Sequence, residues 1–336
     1  MNETMPTAVD DHQDLASRID VLGDKMTSVR DRIGRIIFGQ SQVIDQTIIT
    51  LLAGGHALVI GVPGLAKTRL IEILSVVLGL SEKRVQFTPD LMPSDILGSE
   101  VLEESDSGRR SFRFIKGPVF CQLLMADEIN RASPRTQSAL LQAMQEHEVS
   151  IAGKRYPLPE PFHVLATQNP LELEGTYPLP EAQLDRFFMQ VDVEYPDLDA
   201  ERQIMLNTTG TVEAVPVQVM DAETLIRAQR LVRQVPVGES VADAILELVR
   251  AGRPESTDIE DVKKHVFWGP GPRASQALIL GVRARAVIEG RLAPSIDDIL
   301  ALAHPILRHR MALTFAARAV GVTLSGIIDR LCERIA

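Results

Sequence analysis

The segment that most constrains this chain runs from His56 to Thr68. An apolar run, His56-Ala57-Leu58-Val59-Ile60, is followed by Gly61-Val62-Pro63-Gly64-Leu65-Ala66-Lys67-Thr68. A strand that ends in a turn-rich loop, with a helix opening at Lys-Thr, is the layout of a phosphate-binding loop. Loop N–H groups then point at the anion, Lys67 reaches the β- and γ-phosphates, and the Thr68 hydroxyl holds Mg²⁺. The usual pattern has Gly where this chain has Ala66, so the loop alone does not decide what is bound.

Apolar runs and helical periodicities alternate through the first 195 residues. Strands are predicted at 56–60, 84–88, 120–126, 162–168 and 187–193, and helices at 13–37, 41–53, 67–79 and 134–147. This alternation is typical of a mostly parallel sheet with helices on both faces. Two further segments, 99–114 and 148–156, are predicted to form extra β-hairpins, the second with its turn near Gly153.

The pattern changes after Tyr195-Pro196. Only helices are predicted beyond this point, at 200–207, 221–234, 239–251, 272–289, 295–309 and 313–335. A length of 336 residues favours two domains over one core. We therefore expect a disordered polar tail at 1–12, an αβα domain at 13–195 and an all-helical domain at 196–336.

Composition narrows the class of protein. The net charge of -10 opposes non-specific attraction to nucleic acid or anionic membranes, although a local basic groove stays open. The two cysteines, Cys121 and Cys332, fit a reducing compartment, and Cys121 in its apolar run is expected to be a core thiol. Glycines and a proline interrupt the uncharged stretch 47–66, so we reject a spanning helix there. The N-terminus resembles no signal peptide, and we expect a cytoplasmic protein without membrane insertion.

The second motif is the apolar run 121–126 that ends in Asp127-Glu128. In a doubly wound sheet the carboxyl ends of the strands form the binding crevice. Asp127 is expected to reach Mg²⁺ directly or through water, and Glu128 to orient and polarise the attacking water. Phosphoryl transfer is catalysed mainly by positioning and charge neutralisation, so these acids suit that chemistry.

Two more polar positions each have two interpretations. Asn169, at the end of the predicted strand 162–168, can hold the attacking water or sense a γ-phosphate, or it can be a turn Asn before proline. Arg186 can complete a neighbouring subunit's site as an arginine finger. Alternatively, Arg186 forms a surface salt bridge with Asp185 or Glu181.

A second arginine, Arg273, lies in the first turn of a helix that follows a Gly/Pro-rich loop. A cation at this position opposes the helix dipole unless an anion such as phosphate compensates it. The alternative is ordinary helix-start chemistry. Arg283 and Arg285, later in the same helix, are expected to be solvated.

In this order, the motifs resemble those of an AAA+ ATPase, and the sequence is especially similar to the MoxR family. The resemblance is carried by the strings 61–68, 127–134, 166–170, 180–187 and 271–274. It implies an α/β fold: a P-loop αβα core with a mostly parallel five-stranded sheet and inserted β-hairpins, followed by an all-helical lid domain. The hairpins resemble the helix-2 insert and the pre-sensor-1 hairpin of this AAA+ branch.

The resemblance also implies roles for individual residues, with ATP and Mg²⁺ as cofactors. Thr68 and Asp127 would hold Mg²⁺. The remaining assignments are Gly61, Pro63, Gly64, Leu65, Ala66, Lys67 and Thr68 as Walker A, Asp127 and Glu128 as Walker B, Asn169 as sensor 1, Arg186 as arginine finger, Arg273 as sensor 2, and Phe38, Gly39 and Gln40 as the segment near adenine. Ala66 fits the MoxR variant of Walker A, and we expect a loop without positive φ at this position to accept it.

The implied function is ATP hydrolysis that drives chaperone-like remodelling or maturation of partner proteins. A homo-oligomeric ring, with six subunits expected, follows from an arginine finger that can act only on a neighbour's nucleotide. The family often works with a partner that contains a von Willebrand factor A domain. The sequence leaves open the substrate, the subunit number, and whether Arg131 or Arg135 also acts in trans.

Two other functions are weighed against this one. Relatives that share these hairpins include replicative helicases, and the hairpin tips carry Arg109, Arg110, Lys154 and Arg155. The acidic net charge makes nucleic acid an unfavoured partner. A nucleotide-gated scaffold that does not turn over is disfavoured by the intact set of predicted catalytic residues.

Overall fold

The computed structural model describes residues 8–104, 110–172, 174–209 and 214–336. The chain divides into two compact units, one formed by Ile33–Ala222 and the other by the segment up to Arg32 together with Glu223–Ala336. This division differs from the sequence-based domains at both ends. Helix α1 (Ala8–Gly34) groups with the C-terminal helices, and residues 196–222 group with the sheet. The predicted tail falls partly on residues 1–7, which lie outside the described residues, whereas residues 8–12 belong to α1.

Contacts within each unit explain the division. A Cβ placed on Gly23 of α1 would lie 3.2 Å from the Cα of Gly290, so α1 packs closely on the C-terminal part of its unit. In the other unit, the N–H groups of Val219 and Met220 donate to the carbonyl of Val77 at 2.8 and 3.2 Å. These hydrogen bonds hold the segment after residue 196 to the sheet unit.

The sheet unit contains nine strands and six helices within the described residues. The strands are β1 (Ala57–Gly61), β2 (Glu82–Gln86), β3 (Gly98–Glu104), β4 (Arg110–Lys116), β5 (Leu123–Asp127), β6 (Glu148–Ile151), β7 (Lys154–Pro157), β8 (His163–Gln168) and β9 (Met189–Val193). The helices are α2 (Ser41–Leu52), α3 (Lys67–Val77), α4 (Pro93–Leu97), α5 (Pro134–Glu146), α6 (Glu181–Leu184) and α7 (Leu198–Thr208), with a 3-10 turn at Ile129–Arg131.

Five strands form a parallel sheet in the order β2-β5-β8-β1-β9. The inner strand β5 is buried along its whole length, which agrees with its continuous apolar sequence, because helices cover both faces of a parallel sheet. The edge strand β2 buries only Val85. It begins two residues earlier than predicted because its register with β5 runs from Glu82 to Gln86. The order brings the carboxyl ends of β1, β8 and β5 side by side.

Both predicted hairpins are present. β3 pairs with β4, and β6 pairs with β7, each in antiparallel fashion. The β6–β7 turn is made by Ala152 and Gly153, which both have positive φ (49° and 79°), as a two-residue hairpin turn requires. The β3–β4 turn, including Arg109, lies outside the described residues. Phe114 of β4 stacks on Tyr156 of β7 with ring centroids 4.2 Å apart, so the two hairpins contact each other.

The second unit is mainly helical. Beside α1 it contains α8 (Ala222–Gln234), α9 (Glu239–Ala251), α10 (Glu260–His265), α11 (Pro272–Ile288), α12 (Ile296–Leu307), α13 (Phe315–Ala319) and α14 (Leu324–Glu333), with a 3-10 turn at Arg308–Arg310. A small antiparallel pair, β10 (Val266–Trp268) and β11 (Ala312–Leu313), was not predicted because such short strands have no detectable period. The helix predicted at 313–335 is wrong as one element: α13 stops before Gly321, which adopts φ 80°, and Thr323 caps α14. No helix in the described ranges is long and apolar enough to cross a membrane.

Candidate functional site

The loop between β1 and α3 has the backbone of a tight anion cradle. A Cβ on Gly61 would approach the Val193 carbonyl oxygen to 2.8 Å, so only glycine fits beside β9. Gly64 adopts φ 87°, which glycine takes without steric cost. Ala66 adopts φ 54° and ψ 22° as the N-cap of α3. The expectation that Ala66 sits in a loop without positive φ is therefore wrong, and this residue bears a steric cost of roughly 1–2 kcal/mol.

Lys67 lies at the start of α3 and folds back over the loop. Its ammonium donates to the carbonyl oxygens of Gly61 and, at 3.3 Å, Val62. Burial lowers the pKa of Lys67, and the nearby carboxylates of Asp127, Glu128 and Glu172 partly offset this effect. An additional anion in the loop would favour the charged ammonium further.

The first turn of α3 offers backbone donors to an anion. The first intrahelical bond runs from Leu70 N–H to Ala66 O at 2.9 Å, so the preceding N–H groups have no acceptor within the helix. Those of Lys67 and Thr68 lie at the positive end of the helix dipole. The loop is therefore suited to hold phosphate.

Thr167 of β8 connects the two predicted acids. Its hydroxyl donates to Asp127 Oδ1 at 2.5 Å and accepts a hydrogen bond from the Glu128 N–H at 2.9 Å. Glu128 has φ 54°, so the chain turns sharply where β5 ends. Sequence reasoning missed Thr167, although a polar residue in an otherwise apolar inner strand is a signal that can be read.

Strand β2 supplies two more contacts that sequence reasoning missed. The Arg84 guanidinium donates to Asp127 Oδ2 through Nε at 3.2 Å and Nη2 at 2.5 Å. Gln86 donates to Glu128 Oε2 at 2.8 Å. On the other side, Arg131 donates to the same Glu128 oxygen at 3.0 Å. Each acid is thus fixed by side chains of this same chain, including Arg131.

Asn169 follows β8 and is 6% exposed. Its Oδ1 accepts a hydrogen bond from Leu171 N–H at 3.1 Å, so the turn role is present. The Nδ2 group has no protein partner among the residues described and can still donate to a ligand. The two interpretations of Asn169 are therefore compatible.

Arg186 follows α6 and is partly buried. The alternative salt bridge with Asp185 or Glu181 does not form, and across the described ranges Arg186 has no ion pair. Its guanidinium is available to an anion from outside the chain.

A cavity of about 1040 Å³ opens beside the phosphate-binding loop. Phe38 and Gln40 line it together with loop residues from Pro63 to Ala66. Gln40 Nε2 donates to the Leu65 carbonyl at 3.2 Å, and Gln40 Oε1 is buried without a hydrogen-bond partner. Gly39, which has φ 70°, forms the turn between Phe38 and Gln40, and a Cβ on it would come within 2.4 Å of Ala200. The cavity is large enough for a nucleoside.

Arg273 belongs to the other unit, where it is the second residue of α11. Its approach to a nucleotide stays a prediction. The expected solvation of its neighbours is wrong for Arg285, which pairs with Glu289 at 3.1 Å and with Asp298 at 3.4 Å. Arg283 buries its Nε atom.

The basic hairpin residues that could favour nucleic acid are partly neutralised. Arg110 pairs with Glu104 at 3.0 Å, and Arg155 pairs with Glu148 at 3.5 Å. Arg109 lies in the turn outside the described residues. Two of the three described cations of this set are thus paired with carboxylates, whereas the exposed Lys154 has no ion pair among the described residues.

Comparisons with known proteins agree with a nucleotide-binding site at this position. Residues 56–189 match the model of the ATPase family associated with various cellular activities, and residues 260–330 match the AAA lid domain. Chaperone MoxR1 of Mycobacterium tuberculosis is 41% identical over 90% of this chain and 80% of its own length. The chain belongs to the MoxR family of AAA+ ATPases. It is therefore an ATPase.

Other MoxR-family members and one crystal structure agree. Protein MoxR of Methylorubrum extorquens is 33% identical over 84% of this chain and 85% of its own length. Protein MoxR of Paracoccus denitrificans is 30% identical over 83% of this chain and 86% of its own length. A crystal structure of a protein from Cytophaga hutchinsonii assigned as an ATPase superposes with a TM-score of 0.87, at 36% identity and 97% coverage of both chains. The predicted α/β core and helical lid region of this MoxR-family chain are thus confirmed.

Proposed function

We propose that this MoxR-family ATPase binds ATP and Mg²⁺ in the loop 61–68 and uses Glu128 to activate the attacking water. The observation that carries this proposal is the joint hydrogen bonding of Asp127 and Glu128 to Thr167 on the strand next to β1. Because β1, β8 and β5 are parallel neighbours, the loop and both acids lie at one edge of the sheet. This arrangement is what in-line phosphoryl transfer to water requires.

The donor set suits magnesium. The Thr68 hydroxyl and the Asp127 carboxylate are hard oxygen ligands, which Mg²⁺ prefers. When bound, Mg²⁺ would supply charge neutralisation on the phosphate oxygens. Lys67 would exchange its contacts with the loop carbonyls for contacts with phosphate, and Asn169 would donate its Nδ2 group to the water or the γ-phosphate.

The subunit arrangement is part of the proposal. The unpaired guanidinium of Arg186 supports an arginine finger that acts on a neighbouring subunit, and hence a homo-oligomeric ring, with six subunits expected. Arg131, by contrast, pairs with Glu128 of its own chain. Arg273 is proposed as sensor 2 of the lid.

The work driven by hydrolysis is proposed to be remodelling or maturation of partner proteins. Support comes from the relative named Chaperone MoxR1. A partner with a von Willebrand factor A domain is proposed from the family resemblance. Both cysteines are free, Cys121 in the core, which supports a cytoplasmic setting.

The decisive experiment uses Glu128→Gln with Lys67→Ala as its counterpart. Glu128→Gln should bind a fluorescent ATP analogue as the wild type does but release phosphate at least a hundredfold more slowly, on the order expected when water activation is lost. Lys67→Ala should lose binding itself. Hydrolysis by Glu128→Gln at the wild-type rate would overturn the assigned role. The same variant, held with ATP, then serves to capture the partner.

A further inference from the structure

The side chain of Arg84 places a positive charge directly against the Asp127 carboxylate. Both Arg84 contacts are made to Oδ2, while Oδ1 accepts the Thr167 hydroxyl. Both carboxylate oxygens of Asp127 are therefore engaged by this chain's own groups.

Arg84 also supplies the charge that Asp127 requires. Asp127 is 9% exposed, and a carboxylate at that depth is costly unless a cation or donors compensate it. Among the described residues, Arg84 is the single cation paired with Asp127. Lys67 is bonded to the loop carbonyls, and Arg131 is paired with Glu128 and Glu172.

The Arg84 side chain can leave without repacking the core. It projects from the edge strand β2, its side chain is 49% exposed, and a second acceptor, Gln86 Oε1, lies 3.4 Å from Nη2. Its departure leaves the Asp127 carboxylate without a compensating cation, so Arg84 is expected to leave only when another cation takes its place.

We propose that Arg84 is a resting counter-ion for Asp127 that competes with Mg²⁺ and moves aside when the metal arrives with nucleotide. A guanidinium on the same carboxylate repels a divalent cation, so the site binds Mg²⁺ poorly until the phosphates add negative charge. Arg84 is thus a positioning residue that couples metal binding to nucleotide binding. This inference rests on the Mg²⁺–ATP site proposed above.

The test is a binding titration that needs no turnover. Mg²⁺ is added at constant ionic strength to protein mixed with a fluorescent, non-hydrolysable ATP analogue, and anisotropy gives the Mg²⁺ concentration at the midpoint. For Arg84→Gln we expect this midpoint to fall roughly three- to tenfold, because one repelling charge is removed. Arg84→Lys, which keeps the charge, should stay within about twofold of wild type on the same reasoning.

Arg113→Gln is the matched control, because Arg113 is an exposed arginine paired with Glu103 on a hairpin. It should leave the midpoint unchanged. If Arg84→Gln and Arg84→Lys both fold and the Mg²⁺ midpoint of Arg84→Gln equals or exceeds that of the wild type, the proposed competition between Arg84 and Mg²⁺ is wrong. Wild-type binding of the analogue without any dependence on Mg²⁺ would instead overturn the proposed metal site and the inference together.

Discussion

Two non-glycine residues at the site, Ala66 and Glu128, adopt left-handed backbone conformations with φ 54° each. Each is held there by its surroundings: Ala66 between the loop and the first turn of α3, and Glu128 by the hydrogen bond from its N–H to Thr167. Strain of this kind persists where packing and hydrogen bonds determine the backbone. It sets the direction in which the loop N–H groups and the Glu128 carboxylate point.

Thr167 connects Asp127 and Glu128 through hydrogen bonds to its hydroxyl group. In Thr167→Val the shape is kept but the hydroxyl is lost, so Asp127 loses a donor and the partly buried Glu128 N–H loses its acceptor. We expect a loss of about 1–3 kcal/mol in the free energy of unfolding and at least a tenfold lower kcat, with nucleotide affinity less affected. Urea denaturation and steady-state phosphate release measure both. Thr167→Ser should restore activity, and a fully active Thr167→Val would contradict the assigned coupling.

His56 and His163 make the stability of the sheet unit sensitive to acid. Burial lowers the pKa of His56 from 6.5 to about 3, with His163 as a second cause, and burial lowers that of His163 to about 4. The folded chain keeps both rings neutral while the unfolded chain takes up protons. Above pH 6.5 the two rings therefore do not lower the free energy of unfolding. As the pH falls from 6.5 toward 4, the free energy of unfolding declines by about 1.4 kcal/mol per pH unit for each ring.

Urea denaturation between pH 7 and 5 tests this prediction. This range lies above the pH at which the titration of carboxylates dominates the pH dependence of stability. His163 Nδ1 hydrogen-bonds the Gly55 carbonyl at 2.8 Å, a bond that Gln can reproduce. In His163→Gln the slope with pH should be smaller by about one histidine's share. An unchanged slope would mean that His163 does not resist protonation in the folded state.

At the scale of elements, the two inserted hairpins form a connected pair. Phe114 stacks on Tyr156 across them and also meets Phe120 edge-on, with centroids 5.7 Å apart. Residues farther along the first hairpin, such as Phe112, point to solvent. We therefore expect the aromatic contact to couple the two hairpins.

Phe114→Ala should uncouple the hairpins. Loss of the stack is expected to raise amide hydrogen exchange in 148–157 several-fold, since an aromatic pair contributes roughly 0.5–1.5 kcal/mol beyond its burial. Phe112→Ala is the matched control, because Phe112 is 67% exposed on the same strand, and it should leave exchange in 148–157 unchanged. Equal exchange in the two variants would argue against the coupling.

For the whole molecule, the decisive question is whether a site is shared between subunits. If Arg186 acts on a neighbour, inactive Arg186→Ala and Lys67→Ala subunits should recover part of the activity when mixed. In a mixed ring, an intact loop can face an intact Arg186. Phosphate release measured against mixing ratio should pass through a maximum near equal amounts.

The control for that experiment is assembly. Each variant alone should form the same oligomer as the wild type, as judged by light scattering. Rings that assemble and exchange subunits but show no recovery at any ratio would argue that Arg186 acts within its own chain.

The sequence by itself determined the features that short windows encode. The loop 61–68, the acids 127–128 and the alternation of strands and helices depend on local turn chemistry and on periodicity, and all can be read without knowing the sheet order. The family resemblance then placed Asn169, Arg186 and Arg273 in roles that stay predictions.

The tertiary structure decided which residues meet. Arg84 and Gln86 reach the acids because β2 pairs with β5, and Thr167 reaches them because β8 lies on the other side. Strand order and register are long-range properties that no single window of sequence contains. The same reason explains the misjudged backbone of Ala66: its left-handed conformation is set by the join between β1 and α3, whereas the residue itself would favour a different one.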